Sequence, residues 1–155
     1  CRPVPGTLKI IPWQKKPMAQ VLLGMEDGHG EMFEANPREV LKRVLDRFTA
    51  KGLTPVVAVE LEFYLLDKNL HKDGRPKTSI NPATGERNTT TQVYYMEDLN
   101  DYQGFTDAVT DACRAQHIPA DTAVAEYAPG QFQTRDKGNS LTAKPAGQFY
   151  GEALC

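Results

Sequence analysis

The segment 56–66, VVAVELEFYLL, constrains the fold more than any other part of this 155-residue chain. Its β-branched and aromatic residues suit a pleated, half-buried surface, and its length suits a central strand. Side chains alternate along a strand, so Val59, Leu61, Phe63 and Leu65 take one side. Glu60 and Glu62 take the other, roughly 6.6 to 6.8 Å apart. One face is core and one is acidic. Two like charges are costly to desolvate unless hydrogen bonds or a cation compensate them. An acid-x-acid strand with one solvated face is also an ordinary way for a sheet to meet water.

A second polar constellation lies in Glu126-Tyr-Ala-Pro-Gly-Gln-Phe-Gln133. Pro129 and Gly130 are the two central residues that a type II turn prefers, which predicts a hairpin. Counting outward pairs Ala128 with Gln131, Tyr127 with Phe132, and Glu126 with Gln133, the last pair with roughly 5 Å between Cβ atoms. If this hairpin lies beside the 56–66 strand, Glu60, Glu62, Glu126 and Gln133 converge as an all-oxygen set suited to magnesium or manganese. Taken singly, a Pro-Gly hairpin is more often only a turn.

The remaining organisation is mixed α/β, in the α+β sense. Residues 7–13 and 19–25 read as short strands, and residues 26–30 as turn chemistry with two glycines available for positive φ. A helix is expected from Pro37 to about Lys51, capped by Asn36, with Glu39 placed for a capping box and Gly52 as terminator. Its apolar stripe is Val40, Leu41, Val44, Leu45 and Phe48. Residues 68–93 are polar and read as a long excursion. A second helix is expected from about Leu99 to Gln116, burying Tyr102, Phe105, Val109, Ala112 and Cys113, and a strand from Asp121 to Ala128 leads into the hairpin. The sum is a largely antiparallel, open-edged sheet backed by helices.

A net charge of −2 from 18 basic and 20 acidic residues, interspersed, offers no broad positive field for nucleic acid or anionic lipid. No apolar run approaches the roughly 20 residues that span a bilayer, and three scattered cysteines, Cys1, Cys113 and Cys155, fit a reducing compartment. A cytoplasmic location is therefore expected, with small-molecule or protein partners. The start on Cys1 and the loss of patterning near the end suggest a fragment. His29, His71 and His117 are isolated, and His117 beside Ile118-Pro119 reads as a helix cap or surface residue.

Val59-Glu60-Leu61-Glu62-Phe63-Tyr64-Leu65 resembles the first metal-ligand strand of the glutamine synthetase superfamily, and Glu126-Tyr-Ala-Pro-Gly-Gln-Phe resembles its second ligand hairpin. Thr7-Leu8, Pro12-Trp13 and Ala19-Gln20-Val21 resemble the stretch that joins the family's β-grasp domain to its catalytic domain. The likeness runs from about residue 7 to Phe132 and has the flavour of the γ-glutamylpolyamine synthetase branch. It implies that residues 1–30 are a remnant of the N-terminal β-grasp domain and its connection. Residues 31–155 would then be an incomplete catalytic domain, divergent after about 132.

The implied chemistry is an ATP-dependent carboxylate-amine ligase that forms a γ-glutamyl amide through an acyl phosphate. Glutamate, and ammonia or a polyamine, are the implied substrates, Mg2+ or Mn2+ the cofactor, and a homo-oligomeric ring the assembly. The resemblance assigns Glu62 and Glu126 to the metal nearest the amino acid and Glu60 to the metal that escorts ATP. Gln133 stands where the family has a glutamate, which removes one negative charge from the set. The stretch from Thr134 to Asn139 reads as polar and strand-poor, and residues 141–148 faintly resemble a later family segment. Two other readings stand beside the ligase: a non-catalytic relic or binding module with at most a weak metal site, and a metal-dependent hydrolase. The hydrolase lacks a metal-histidine pair and a convincing nucleophile.

Overall fold

The structure, a computed structural model, describes residues 1–136, 139 and 140. It comprises two compact units. One contains Cys1–Ala58, Ala112–Ile118 and the segment 139–140; the other contains Val59–Asp111 and residues 119–136.

In the first unit the strands expected at 7–13 and 19–25 shrink to two-residue pieces, one in the former and two in the latter, and a strand not expected from the sequence, at residues 2–3, joins them. β1 (Arg2–Pro3) pairs antiparallel with β4 (Leu23–Gly24), and β2 (Lys9–Ile10) with β3 (Ala19–Gln20). Prolines at 3, 5, 12 and 17 remove ladder donors and keep these pairings short. Buried Thr7 ties them together, donating its hydroxyl to Val4 O at 2.8 Å and accepting from Leu22 N–H at 3.0 Å. The turn expected at 26–30 is built by Asp27, whose carboxylate accepts from His29 N–H and Glu31 N–H at 2.8 and 3.0 Å. Of its two glycines only Gly30 takes a positive φ.

Helix α1 spans Pro37–Thr49, with Asn36 accepting from Arg38 N–H at 3.1 Å and Pro37 in the first turn. The reciprocal capping-box bond is not made, because Asn36 N–H donates to Phe33 O at 3.0 Å. Gly52 (φ +67°) and a Leu53 N–H to Phe48 O bond of 3.0 Å end the helix. The apolar stripe is present but not buried: Val40, Val44 and Phe48 remain exposed.

The 56–66 run does not form one strand. β5 (Val56–Val57) pairs with β9 (Asn139–Ser140), whereas β6 (Glu60–Tyr64) pairs with β8 (Gln131–Asp136). Between β5 and β6, Ala58 and Val59 belong to no strand.

The second expected helix is likewise divided, into α2 (Met96–Asp101) and α3 (Gln103–Ala115). Tyr102 is the cause. Its side chain is drawn into the core, where its hydroxyl bonds Ser79 Oγ at 2.9 Å and its ring meets Phe132 edge-on at 5.0 Å. Its carbonyl accepts from Phe105 N–H and Thr106 N–H and so opens the second helix. Val109, Ala112 and Cys113 are buried as expected, while Phe105 is half-buried. At the end of α3, His117 adopts φ +58° while Ile118 N–H bonds Cys113 O at 2.8 Å, the capping role expected of it.

The sheet of the second unit has the order β6-β8-β7, with β7 at Ala120–Ala125, and every pairing is antiparallel. Among the described residues β6 and β7 carry no further strand on their outer edges in this sheet. Tyr102, Ala125 and Phe132 form the core, with Phe63, Leu65 and Leu99 packed against them. Phe132 is 2% exposed, and truncating such a ring to alanine typically costs about 3–5 kcal/mol. Within the stretch expected to be strand-poor, residues 134–136 lie in β8, which is paired on both sides, so cross-strand support outweighs their polar composition.

Within the 68–93 excursion, Asn81 is 1% exposed. Its Oδ1 accepts from Ala83 and Thr84 N–H, and its Nδ2 donates to Asp101. Asp67 accepts from Asn69 N–H and is paired with Arg87. The Asn69 hydrogen bond and then the Arg87 guanidinium hold its carboxyl down at about 2.

Candidate metal face

Alternation along β6 and β8 fixes which side chains share a surface. Glu60 lies opposite Arg135, Glu62 opposite Gln133, and Tyr64 opposite Gln131. On the far side of β8, Val124 lies opposite Gln133, and Glu126 N–H donates to Gln131 O at 2.8 Å. Glu60, Glu62, Gln131, Gln133, Arg135 and Glu126 therefore occupy one face of the sheet, with Leu61, Phe63, Phe132 and Ala125 on the other.

The expected hairpin register is corrected. Pro129 and Gly130 do form the turn, with Gly130 at φ +72° and Gln131 N–H bonding Ala128 O at 2.9 Å. A type II turn splays strands of natural twist, so it sits inside a four-residue loop, 127–130, and not at the tip of a two-residue hairpin. The strands slip by two: Glu126 meets Gln131, and Gln133 meets Val124. A shift of two keeps every side chain on its expected face, but Glu126 and Gln133 are no longer a direct pair.

The loop is locked to β6. Leu65 N–H donates to Gly130 O at 2.8 Å, and a Cβ at Gly130 would sit 3.2 Å from Leu65 O. Gly130 is thus required both by conformation and by space.

Four expected ligands share a face, but their side chains do not converge. Glu62 and Glu126 stand on strands that flank β8, roughly 9.5 Å apart laterally, and one side-chain row apart along the sheet. Glu62 Oε2 accepts from Gln131 Nε2 at 2.9 Å, and Glu60 is ion-paired with Arg135. Gln133 is buried, at 6% exposure, whereas Glu60 and Glu62 are exposed and Glu126 is half-buried. Among the described residues, no three His, Cys, Asp or Glu side chains are gathered tightly enough to hold one ion. The donor chemistry, three carboxylates and an amide carbonyl on one face, fits a hard cation; the present rotamers leave it to Arg135 and Gln131 to satisfy the acids.

Two partners escaped the sequence reading. Gln131 bridges the acid and the loop, donating to Glu62 and accepting from Ala128 N–H at 3.1 Å. Arg135 follows Gln131 and Gln133 at alternate positions, so extending the strand two residues further would have put it on the acidic face. His29, His71 and His117 are all exposed, as are Tyr94, Tyr95 and Met96, with Tyr94 at φ +57°. The resemblance noted at 141–148 lies outside the described residues. A separate hollow of about 300 Å3 in the first unit, lined by Arg2, Val4, Met32, Arg38 and Glu39, contains none of the expected ligands.

Residues 34–143 match the family model described as glutamine synthetase, catalytic domain. The chain is 42% identical over 133 residues to the γ-glutamylputrescine synthetase of Escherichia coli (strain K12), covering 86% of this chain and 28% of that protein. It is 30% identical over 130 residues to the glutamate–methylamine ligase of Methyloversatilis universalis, covering 83% of this chain and 27% of that one. A solved glutamine synthase homologue superposes on it with a TM-score of 0.73 at 18% identity, across 98% of this chain and 33% of the other. The chain thus spans little more than a quarter of these curated relatives and about a third of that structure. The acid-bearing strand, the Pro-Gly hairpin beside it and these matches together establish that the chain belongs to the glutamine synthetase family, within the region of that family's catalytic domain.

Proposed function

We propose that this chain is part of an ATP-dependent ligase that joins an amine to the γ-carboxylate of glutamate through an acyl phosphate, and that it does not turn over by itself. The observation that carries this reading is the 42% identity to a γ-glutamylputrescine synthetase, which favours a polyamine over ammonia as acceptor. Residues 1–30 are read as a remnant of a β-grasp domain and its connection, and residues 31–155 as an incomplete catalytic domain. A cytoplasmic, ring-forming enzyme without nucleic-acid or membrane partners completes the reading; among the described residues no helix is long and apolar enough to cross a membrane.

Glu60, Glu62 and Glu126, with the Gln133 carbonyl, would hold Mg2+ or Mn2+ on the acidic face. Such an ion supplies charge neutralisation and alignment for transfer of a phosphoryl group from ATP. The chain's own contribution is to fix the acids on either side of β8: Glu60 and Glu62 through β6, Glu126 through the loop locked by Gly130. Gln133 brings an oxygen without a charge, which weakens the set relative to four carboxylates.

A second reading, a non-catalytic relic that keeps the scaffold, is favoured by Gln133 and by the pairing of Glu60 with Arg135. Calorimetric titration of the chain with Mn2+ separates the two. The ligase reading expects sub-millimolar binding that is lost in Glu62→Ala and Glu126→Ala; binding indifferent to both substitutions, or none, favours the relic. ADP formation dependent on glutamate and putrescine by the chain alone would overturn the statement that it does not turn over.

A further inference from the structure

Both acids of β6 already have partners on β8, and only one of those partners is charged. Gln131 gives Glu62 a neutral amide N–H, whereas Arg135 brings a permanent positive charge to Glu60. The position is set by the backbone. Arg135 lies directly opposite Glu60 in the β6–β8 ladder and directly opposite Thr122 in the β7–β8 ladder, so it stays at the acidic face whatever rotamer it takes. The pair is held loosely, because the Arg135 and Glu60 side chains are 52% and 43% exposed, and such pairs are screened by water and salt. A guanidinium has five donors and no acceptor, so it can occupy a cation's place but cannot ligate one.

We propose that Arg135 is a resident counter-ion of the acidic face: it neutralises Glu60 when no metal is bound, and it must leave that carboxylate before a divalent cation takes it. Arg135 therefore sets the threshold for cation uptake by competing for the same oxygen atoms. This rests on the metal reading of the same face. The cost of keeping a unit positive charge about 6 Å from a divalent ion in a water-like medium corresponds to about a factor of ten in affinity. Removing the charge should recover that factor, and lysine, which keeps it, should not.

The test is Mn2+ titration of the wild-type chain, Arg135→Gln and Arg135→Lys, each checked for native circular dichroism. The expected result is about tenfold tighter binding in Arg135→Gln and wild-type binding in Arg135→Lys. Equal affinities in all three overturn the counter-ion role while leaving the metal face intact. Absence of binding in all three overturns the metal reading, and the counter-ion role with it. A second measurement needs no substitution: the Arg135 Nε–H resonance of the wild-type chain should move to its free-arginine position as Mg2+ is added. A resonance unmoved through saturation with Mg2+ overturns the proposal.

Discussion

Restoring a carboxylate at position 133 gives the sharpest test of how the acidic face is built. Gln133 is 6% exposed and lies directly opposite Glu62. In Gln133→Glu the new carboxylate would stand about 5 Å from the Glu62 position, the usual cross-strand separation. At an effective dielectric constant of about 20, two like charges at that distance repel by about 3 kcal/mol. Burial acts in the same direction, since it also disfavours the charged form. Both effects raise the folded-state pKa of the introduced group above its unfolded value. The variant should therefore match wild type below about pH 4, where the group is protonated in both states. It should then lose stability as pH rises towards neutrality, to a deficit of about 3 kcal/mol at pH 8. Urea denaturation at pH 4 and pH 8, with circular dichroism as the signal, measures the difference. Saturating Mn2+ should shrink the deficit at pH 8, because the cation offsets the repulsion. Equal stability of variant and wild type at pH 8 without metal would refute the Glu62–Gln133 register; a deficit untouched by Mn2+ would refute the cation face.

Three further outcomes follow from local geometry. His117→Gly should stabilise the chain by about 1 kcal/mol, because a left-handed φ of +58° is unfavourable for any residue with a Cβ; a lower melting temperature would contradict this. Thr134→Val should raise stability by about 1 kcal/mol, since the buried Thr134 hydroxyl has no hydrogen-bond partner among the described residues and adjoins a cavity of about 40 Å3; chemical denaturation reads the sign. Asp67, held at about 2, contributes stability that is present above its unfolded pKa of about 4 and is lost as pH falls from about 4 through about 2. Arg87→Met should move that loss to higher pH, which an NMR titration of the Asp67 carboxyl resolves directly.

What could be read from the sequence was whatever a few adjacent residues decide. The acids at 60 and 62 fall on one face because strand alternation needs no partner, and Asn36-Pro37 caps α1 because capping is a matter of neighbouring atoms. The Pro-Gly turn was legible for the same reason. Its register was not, because strand twist decides how a type II turn is embedded, and the sequence of the turn carries no information about that twist. Tyr102 broke the second helix because its ring packs into a core with Phe132 and Ala125 and its hydroxyl bonds Ser79. Arg135 was missed because the strand was ended too soon, and because its partner Glu60 is 75 positions away. Contacts of that span are fixed by tertiary pairing and not by local preference.

The placement of β8 between β6 and β7 also dictates when the second unit can exist at all. A chain emerging from the ribosome displays residues 60–64, with their apolar side bare, long before residues 131–136 are made. β7 and β8 can zip around their short loop almost at once, whereas β6 must wait for that hairpin and then close a loop of some seventy residues to reach it. Nascent chains halted before Gln131 should therefore be the ones that chaperones hold, and protection of the β6 amides should appear last.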